Sequence, residues 1–249
     1  MVSTSKTSTN IIYPDSDGQP MADNTKQFQW IVTIKENLEI LFASQPDVFV
    51  AGDLLWYPVS GETIRQAPDV LVVFGRPKGN RGSYKQWEEE NIPVQVVFEI
   101  LSPGNTLKEM AKKLSFYERY GVEEYYIYDP DKNDLNGWLR GQESGENRLE
   151  VIEEINTWVS PLLGIRFHLT PQTLEIYRPD GEKFLTSVEL AQEREQERQR
   201  AEIERQRAEI ERQRADSAES QLLEERQRYQ DLLRKLREKG IEPGQFSED

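Results

Sequence analysis

Residues 94–130 read VQVVFEILSPGNTLKEMAKKLSFYERYGVEEYYIYDP, and this stretch decides the fold. Its opening run is almost continuously apolar, as expected for a strand that is covered on both faces. The Ser-Pro-Gly-Asn-Thr segment that follows breaks the strand, and Thr106 can cap a helix over residues 107–120. Gly121 is a suitable stop for that helix, and residues 125–130 form the next strand. This order predicts a parallel strand pair joined by a right-handed crossover.

Helix and strand patterns alternate through the rest of the first 186 residues. Asn24 or Thr25 can cap a helix that ends near Ser44, because Pro46 lies just beyond. Strand-like runs lie at residues 48–52, 54–57, 70–74, 137–140, 149–153, 165–169 and 174–177. We expect the first two runs to form one strand pair or one long bent strand, and residues 75–92 to form a polar loop. These elements predict a mixed α/β (α+β) domain.

Composition divides the chain into four predicted segments. Residues 1–25 are rich in Ser, Thr, Asn, Asp, Gly and Pro and are expected to form a flexible N-terminal arm. Residues 26–186 contain most of the aromatic and β-branched residues, which can build a core. Residues 187–240 are expected to form a long charged helix, and residues 241–249 a disordered tail.

Net charge counts against a basic nucleic-acid-binding protein. The formal charge is -14, of which residues 1–186 carry -10 and residues 187–249 carry -4. Because phosphate contacts normally need clustered Lys and Arg, this charge disfavours tight, non-specific DNA binding. A local basic patch, or a cation that offsets the carboxylates, is still compatible with it.

Cysteine and histidine usage excludes several kinds of site. The chain has no cysteine, which excludes disulfides, thiolate zinc sites and a cysteine nucleophile. Its one histidine, His168, lies in an alternating run typical of a surface or edge strand. No apolar run reaches the roughly 20 residues of a membrane helix, and the polar N-terminus lacks a signal-peptide core. We therefore expect a soluble, cytoplasmic protein with no membrane partner.

The predicted C-terminal helix contains an internal repeat. Residues 201–207 read AEIERQR, and residues 208–214 repeat them. A seven-residue period is typical of coiled coils, but Ala and Ile lie two residues apart, so each heptad offers one strong apolar position. A better apolar seam follows, formed by Leu222, Tyr229, Leu233 and Leu236. Two interpretations stay open: a helix that forms a homo-oligomer through residues 187–240, and a monomeric charged helix.

Two acidic residues lie in buried strand patterns. Asp69 opens the apolar run 70–74, and Glu99 lies near the end of the run 94–101. Burying an unpaired carboxylate costs several kcal/mol, so such acids need compensation. We favour a divalent cation, which prefers hard oxygen ligands. The alternative is that one acid pairs with an arginine or caps a backbone turn.

The same features match a known family. The sequence resembles the Uma-type restriction endonuclease family, which is found in cyanobacteria and is part of the PD-(D/E)XK nuclease superfamily. The resemblance lies in Asp69, Glu99, the Ser-Pro turn, the lysine-bearing helix and the string GVEEYYIYDP at 121–130. The resemblance covers residues 10–190. It implies a restriction-endonuclease-like mixed β-sheet flanked by helices, with Mg²⁺ or Mn²⁺ bound by Asp69 and Glu99 at its edge. It also implies a metal-dependent endonuclease with DNA as its substrate.

The resemblance further points to a displaced catalytic lysine. The superfamily lysine normally lies two residues after the second acid, where this chain has Leu101. In the Uma-type pattern a lysine of the following helix takes its place; Lys113 matches best, and Lys112 is the neighbouring candidate. Lys113 would stabilise the phosphate charge or orient the attacking water. Glu109 lies four residues before Lys113, on the same helix face, where it contributes to the site or forms a surface ion pair.

Other polar residues are additional candidates. Gln95 lies four residues before Glu99 on the same strand face, and Asp53 lies in the strand region before the motif. Each either lines the site or has a structural role. The loop 75–92 contains cations beside Tyr84 and Trp87, a combination that can contact nucleic acid, but also three consecutive glutamates. Its candidate contacts are Lys78, Arg81 and Lys85, and a solvated loop is the alternative.

Three functional hypotheses follow from the sequence. The first is a metal-dependent endonuclease that hydrolyses phosphodiester bonds in DNA. The second is a nuclease-fold binding or assembly module with weak or no catalysis, which oligomerises through its C-terminal helix. It is motivated by Leu101, by the acidic charge and by the helix itself. The third is a scaffold in which the acids are only structural.

Overall fold

The first helix of the computed structural model, α1, spans Thr25–Leu41 and begins where the sequence supplies a cap. The Asn24 side chain accepts a hydrogen bond from the Gln27 amide at 2.9 Å, which satisfies one of the amides left open at a helix start. The apolar face of α1 lies against the central sheet through Ile31, Ile34 and Leu38, which are all buried. Of the two predicted caps, Asn24 and Thr25, Asn24 is therefore the one that the structure shows.

The structure describes residues 11–16, 18, 22–141 and 147–240. Residues 1–10, 17 and 19–21 of the predicted arm, and the whole predicted tail 241–249, lie outside the described residues. Within the arm, the Tyr13 ring lies 5.3 Å from the Tyr57 ring and 4.9 Å from the Trp87 ring, measured between centroids. The Tyr57 hydroxyl also donates to the Pro14 carbonyl at 2.7 Å. This part of the arm therefore packs on the domain.

Ten strands lie in the described residues. In chain order they are β1 (Val48–Gly52), β2 (Trp56–Tyr57), β3 (Val70–Phe74), β4 (Tyr84–Lys85), β5 (Val96–Ile100), β6 (Glu124–Asp129), β7 (Asp134–Arg140), β8 (Leu149–Val151), β9 (Arg166–Leu169) and β10 (Leu174–Tyr177). Six of them form the central sheet in the order β1-β3-β5-β6-β7-β8. The neighbours are antiparallel except β5 and β6, which are parallel. The predicted mixed α/β fold is confirmed.

Helix α2 (Leu107–Arg119) connects the two parallel strands, as the sequence predicts. The Thr106 hydroxyl accepts a hydrogen bond from the Glu109 amide at 3.2 Å and so caps the helix. Gly121 follows the helix with a φ of +92°, a left-handed conformation that other residues adopt only with strain. Thr106 therefore starts, and Gly121 ends, the helix that lies over the end of β5.

Each face of the central sheet packs against its own hydrophobic cluster. One cluster contains α1, β9, β10 and the sheet side chains Val70, Phe98 and Tyr126. The other contains α2, β2, β4 and the sheet side chains on the opposite face, including Leu71 and Val97. Because side chains alternate along a strand, the odd-numbered residues of β3 and β5 face α2. Asp69 and Glu99 follow that parity.

Residues 48–57 form neither of the two predicted arrangements, a strand pair or one long bent strand. Asp53 has a φ of +48°, so the chain turns out of the central sheet after β1. β2 instead forms a separate two-stranded parallel sheet with β4. The segment 75–92, predicted as a loop, accordingly contains β4 and a 3₁₀ turn at Gln86–Glu88. The sequence pattern missed this pairing because both strands are only two residues long.

The chain forms two compact units, Met1–Val188 and Glu189–Asp249. The predicted C-terminal helix is confirmed as α3, which spans Ser187–Glu238 and has no buried residue. Ile203, Ile210, Leu222 and Tyr229 are each about half-exposed on it. Within the described residues, no helix combines the length and the apolar character needed to span a membrane.

Candidate active site

The strand register brings three acidic residues into one row. Val70 of β3 pairs with Phe98 of β5, so one step further along this antiparallel ladder Asp69 comes opposite Glu99. In the same way, Gly52 pairs with Val70, and the Asp53 amide donates to the Asp69 carbonyl at 3.2 Å. The two predicted acids are distant in sequence but adjacent at this end of the sheet, on the face that α2 covers.

Asp69 is half-buried and is held by the neighbouring strand. Its Oδ2 atom accepts a hydrogen bond from the Ile100 amide at 2.6 Å. Burial first, and the negative charge of Glu99 second, raise the pKa of Asp69 well above its ordinary value. The Ile100 amide and the charge of Lys113 act in the opposite direction but do not cancel that shift. The site therefore opposes two free negative charges at Asp69 and Glu99.

Glu99 is buried, with 2% of its side chain exposed, and α2 supplies partners for both of its oxygens. Lys113 Nζ donates to Oε2 at 2.8 Å, and the Tyr117 hydroxyl donates to Oε1. Residues 113 and 117 lie one helical turn apart, so they reach the same carboxylate from the same helix face. The two contacts fix the position of the Glu99 carboxylate beneath α2.

Lys113 is charged in this environment. Burial opposes its ammonium form, but the charge and hydrogen bond of Glu99, followed by the charges of Asp69 and Glu109, raise the pKa of Lys113 above its ordinary value. Lys112, the neighbouring candidate, is exposed. Leu101, which occupies the usual position of the superfamily lysine, packs in the hydrophobic cluster under α2. The structure therefore places Lys113, and neither of these neighbours, at the second acid.

The additional candidates lie at different distances from this pair. Asp53 is exposed next to Asp69, and its charge raises the pKa of Asp69 further. Glu109 accepts a hydrogen bond from Asn105 Nδ2 at 3.3 Å and acts on Lys113 through its charge. Gln95 lies at the other end of β5, where its Oε1 atom accepts from the Phe74 amide at 3.0 Å. Gln95 therefore extends the β3–β5 pairing there.

The candidate DNA contacts in the segment 75–92 are engaged within the protein. Lys78 Nζ donates to the Phe42 carbonyl at 2.5 Å. Arg81 Nε donates to Glu89 at 2.6 Å, and its guanidinium lies 4.0 Å from the centroid of the Phe49 ring. Lys85 Nζ lies 3.7 Å from Glu88 Oε1. These contacts tie the segment to itself, to the end of α1 and to β1, so its cations already have anionic, carbonyl or aromatic neighbours.

Two contacts at the site were not predicted from the sequence. Tyr117 is the first. Its spacing of four residues from Lys113 could have indicated a position at the site, but the same spacing is equally typical of a core residue. The second is Gln27 of α1, a buried side chain whose Nε2 donates to the Ile100 carbonyl at 2.8 Å. It holds the residue whose amide binds Asp69. No local sequence pattern predicts this contact, because it joins residues that are far apart in the chain.

The carboxylate pair fits a cation that needs few protein ligands. Among the described residues, no group of three or more acidic or histidine side chains is arranged to hold a metal ion. Mg²⁺ is commonly bound through one or two carboxylates and keeps several waters. Asp69 and Glu99 supply two hard oxygen ligands, and a cation would relieve the like-charge repulsion between them. The donor set therefore suits Mg²⁺ or Mn²⁺ better than an ion that requires a complete protein cage.

Comparison with known proteins identifies the family. The Uma2 family model, described as "Putative restriction endonuclease", matches residues 16–172. No curated protein matches the chain. Among solved structures, a putative nuclease belonging to DUF820 from Anabaena variabilis ATCC 29413 is 18% identical, with a TM-score of 0.41; the match covers 57% of this chain and 74% of that chain. The family match spans well over half of the chain, and the predicted resemblance is confirmed: this protein belongs to the Uma2 family of putative restriction endonucleases.

Proposed function

We propose that this protein is a metal-dependent endonuclease that hydrolyses phosphodiester bonds in DNA at Asp69, Glu99 and Lys113. One observation carries the proposal: a charged lysine lies 2.8 Å from the second of two facing acids. Carboxylates, a lysine and a cation suffice for phosphodiester hydrolysis without histidine or cysteine. Membership of a restriction endonuclease family supports the same reaction class and DNA as the substrate.

Asp69 and Glu99 would hold the Mg²⁺ or Mn²⁺ ion. When bound, the ion supplies a Lewis acid that polarises a phosphoryl oxygen and lowers the pKa of water. The rest depends on this chain's own residues. The Ile100 amide orients Asp69, and Tyr117 orients Glu99, so neither carboxylate has to be ordered when the substrate arrives.

Lys113 has two roles in this proposal. Without substrate, its ammonium offsets the buried charge of Glu99. With substrate, the same ammonium stabilises the negative charge that develops on the phosphate, where a fixed charge in a partly dry site is most effective. A lysine of α2 can therefore serve in place of one at position 101, because α2 crosses the end of β5 and brings Lys113 to Glu99 from above.

A cleavage assay on the full-length protein tests the proposal. Supercoiled plasmid, linear duplex and single-stranded DNA are incubated with the protein in Mg²⁺, in Mn²⁺ and in EDTA. We expect cleavage only with a divalent cation, and its loss in Asp69→Ala and Glu99→Ala. Asp47→Ala is the matched control, because Asp47 is an exposed acid just before the other end of β1. Equal cleavage by Asp69→Ala and Asp47→Ala would exclude the proposed site.

A second candidate function is a nuclease-fold assembly module that oligomerises through α3. It is favoured by the half-exposed Leu222 and Tyr229, seven residues apart on a helix without buried residues. Sedimentation velocity tests it: the full-length chain should sediment above its monomer mass of 29.1 kDa. Leu222→Glu with Tyr229→Glu should return it to the monomer, while Gln230→Glu should not. A monomeric wild-type protein would contradict this candidate.

A further inference from the structure

Tyr125 has a buried hydroxyl group without a hydrogen-bond partner among the described residues. Its side chain, at the second position of β6, is fully buried. Other buried tyrosines have partners: the hydroxyl of Tyr84 donates to the Ile92 carbonyl at 2.7 Å, and that of Tyr126 to Glu124 at 3.0 Å. A buried polar group normally has a partner, so the Tyr125 hydroxyl needs an explanation.

The fold directs Tyr125 towards the carboxylate pair. In the parallel register of β5 and β6, Tyr125 pairs with Val97, two residues before Glu99, and it lies in the same hydrophobic cluster. Side chains two residues apart on a strand share a face. The Tyr125 ring lies 4.9 Å from the ring of Tyr117, whose hydroxyl donates to Glu99. The side chain of Tyr125 therefore lies on the same face as the candidate active site, with its ring next to one of the residues of that site.

The electrostatic environment keeps this hydroxyl protonated. Burial, followed by the negative charges of Glu99 and Asp69, raises the pKa of Tyr125 far above its ordinary value. The hydroxyl of Tyr125 is therefore a hydrogen-bond donor at neutral pH. Neither acid accepts this donor, although both act on it through their charge.

We propose that Tyr125 is a positioning residue whose hydroxyl donates a hydrogen bond to a water of the hydrated cation at the Asp69–Glu99 pair. This inference rests on the proposed function, because it needs a cation there. A Mg²⁺-type ion held by two carboxylates keeps several waters, and each such water needs acceptors or donors around it. Tyr125 supplies a buried donor that has no other partner among the described residues.

The test uses Tyr125→Phe in the full-length chain, with Tyr84→Phe as the matched control. Mn²⁺ binding is measured from the free-ion electron paramagnetic resonance signal, and the melting temperature is measured without metal. Removing an unpaired buried hydroxyl relieves a desolvation cost, so metal-free Tyr125→Phe should melt at or above the wild-type temperature. Its Mn²⁺ affinity should fall about tenfold, as is typical when an outer contact of a metal site is lost. Tyr84→Phe should melt lower and bind Mn²⁺ normally.

Three outcomes would overturn the inference. Unchanged Mn²⁺ affinity in Tyr125→Phe would make the hydroxyl a packing defect without a role. A lower metal-free melting temperature would mean that the hydroxyl has a partner inside the protein. A wild-type protein that binds Mn²⁺ no better than Asp69→Ala would overturn the metal site of the proposed function together with this inference, whereas the first two outcomes leave that site intact.

Discussion

Replacing Lys113 with methionine should strongly destabilise the domain. Lys113 Nζ lies 2.8 Å from Glu99 Oε2, and only 13% and 2% of the two side chains are exposed. Methionine keeps most of the apolar volume but removes the ammonium, so Glu99 is left buried with Tyr117 as its remaining side-chain donor. Removing one partner of a buried ion pair costs about 3–5 kcal/mol of unfolding free energy. Lys112→Met, at an exposed position, should cost less than about 0.5 kcal/mol.

Urea unfolding in EDTA, followed by tryptophan fluorescence, measures this difference. All five tryptophans, at positions 30, 56, 87, 138 and 158, lie before α3, so the signal reports on the first unit alone. With a denaturant slope of about 2 kcal/mol per M, the Lys113→Met midpoint should fall by about 1.5–2.5 M. If Lys113→Met and Lys112→Met unfold at the same urea concentration, the buried pair is not formed and the site as described is wrong.

Two further predictions concern the opposite face of the sheet and the β9–β10 hairpin. Glu124 is buried and accepts three hydrogen bonds. Glu124→Ala should therefore lower the unfolding free energy, measured in urea, by about 3 kcal/mol or more, whereas the neighbouring Glu123→Ala should lower it by less than about 0.5 kcal/mol. Equal losses in the two variants would contradict this prediction. Hydrogen bonds from Lys183, then Tyr177, lower the pKa of Glu175 to about 2. Because that pKa lies below the unfolded value, its stabilisation exists above about pH 4.5 and is lost as the pH falls towards 2. Glu175→Gln should therefore lose less stability than the wild type between pH 6 and pH 3, which is measured as a smaller fall in melting temperature. Because Glu175 is partly solvated, the difference in unfolding free energy should be about 1 kcal/mol or less. Parallel pH profiles of the two proteins would refute this prediction.

Local signals were sufficient for the elements that carry the site. The cap at Thr106 and the stop at Gly121 bound a helix between two apolar runs, and the structure has α2 and a parallel strand pair there. Asp69 and Glu99 were identifiable because an acid inside an apolar strand pattern is costly unless it is compensated. Their adjacency followed only from the family resemblance, since no sequence pattern gives the register of β3 against β5.

Contacts between distant segments could not be predicted in the same way. The chain turns away from β1 at Asp53, which has a positive φ, and β2 then pairs with β4. Strands of only two residues give no sequence pattern from which this pairing could be predicted. Spacing alone also does not distinguish Lys113 from Lys112, because the difference depends on which face of α2 lies against the sheet. The unpaired hydroxyl of Tyr125 is a property of the packed core, and the alternating strand pattern around it gives no sign of it.

The rate of plasmid nicking by the wild type and by Asp69→Asn, each in Mg²⁺ and in EDTA, tests the central claim most directly. Asparagine keeps the size of the side chain and an oxygen that can accept from the Ile100 amide, but it removes the charge that would hold the cation. We predict cation-dependent nicking by the wild type and a loss on the order of 100-fold or more in Asp69→Asn, with Asp47→Asn unchanged. Nicking that persists in EDTA, or an Asp69→Asn rate equal to that of the wild type, would contradict the account.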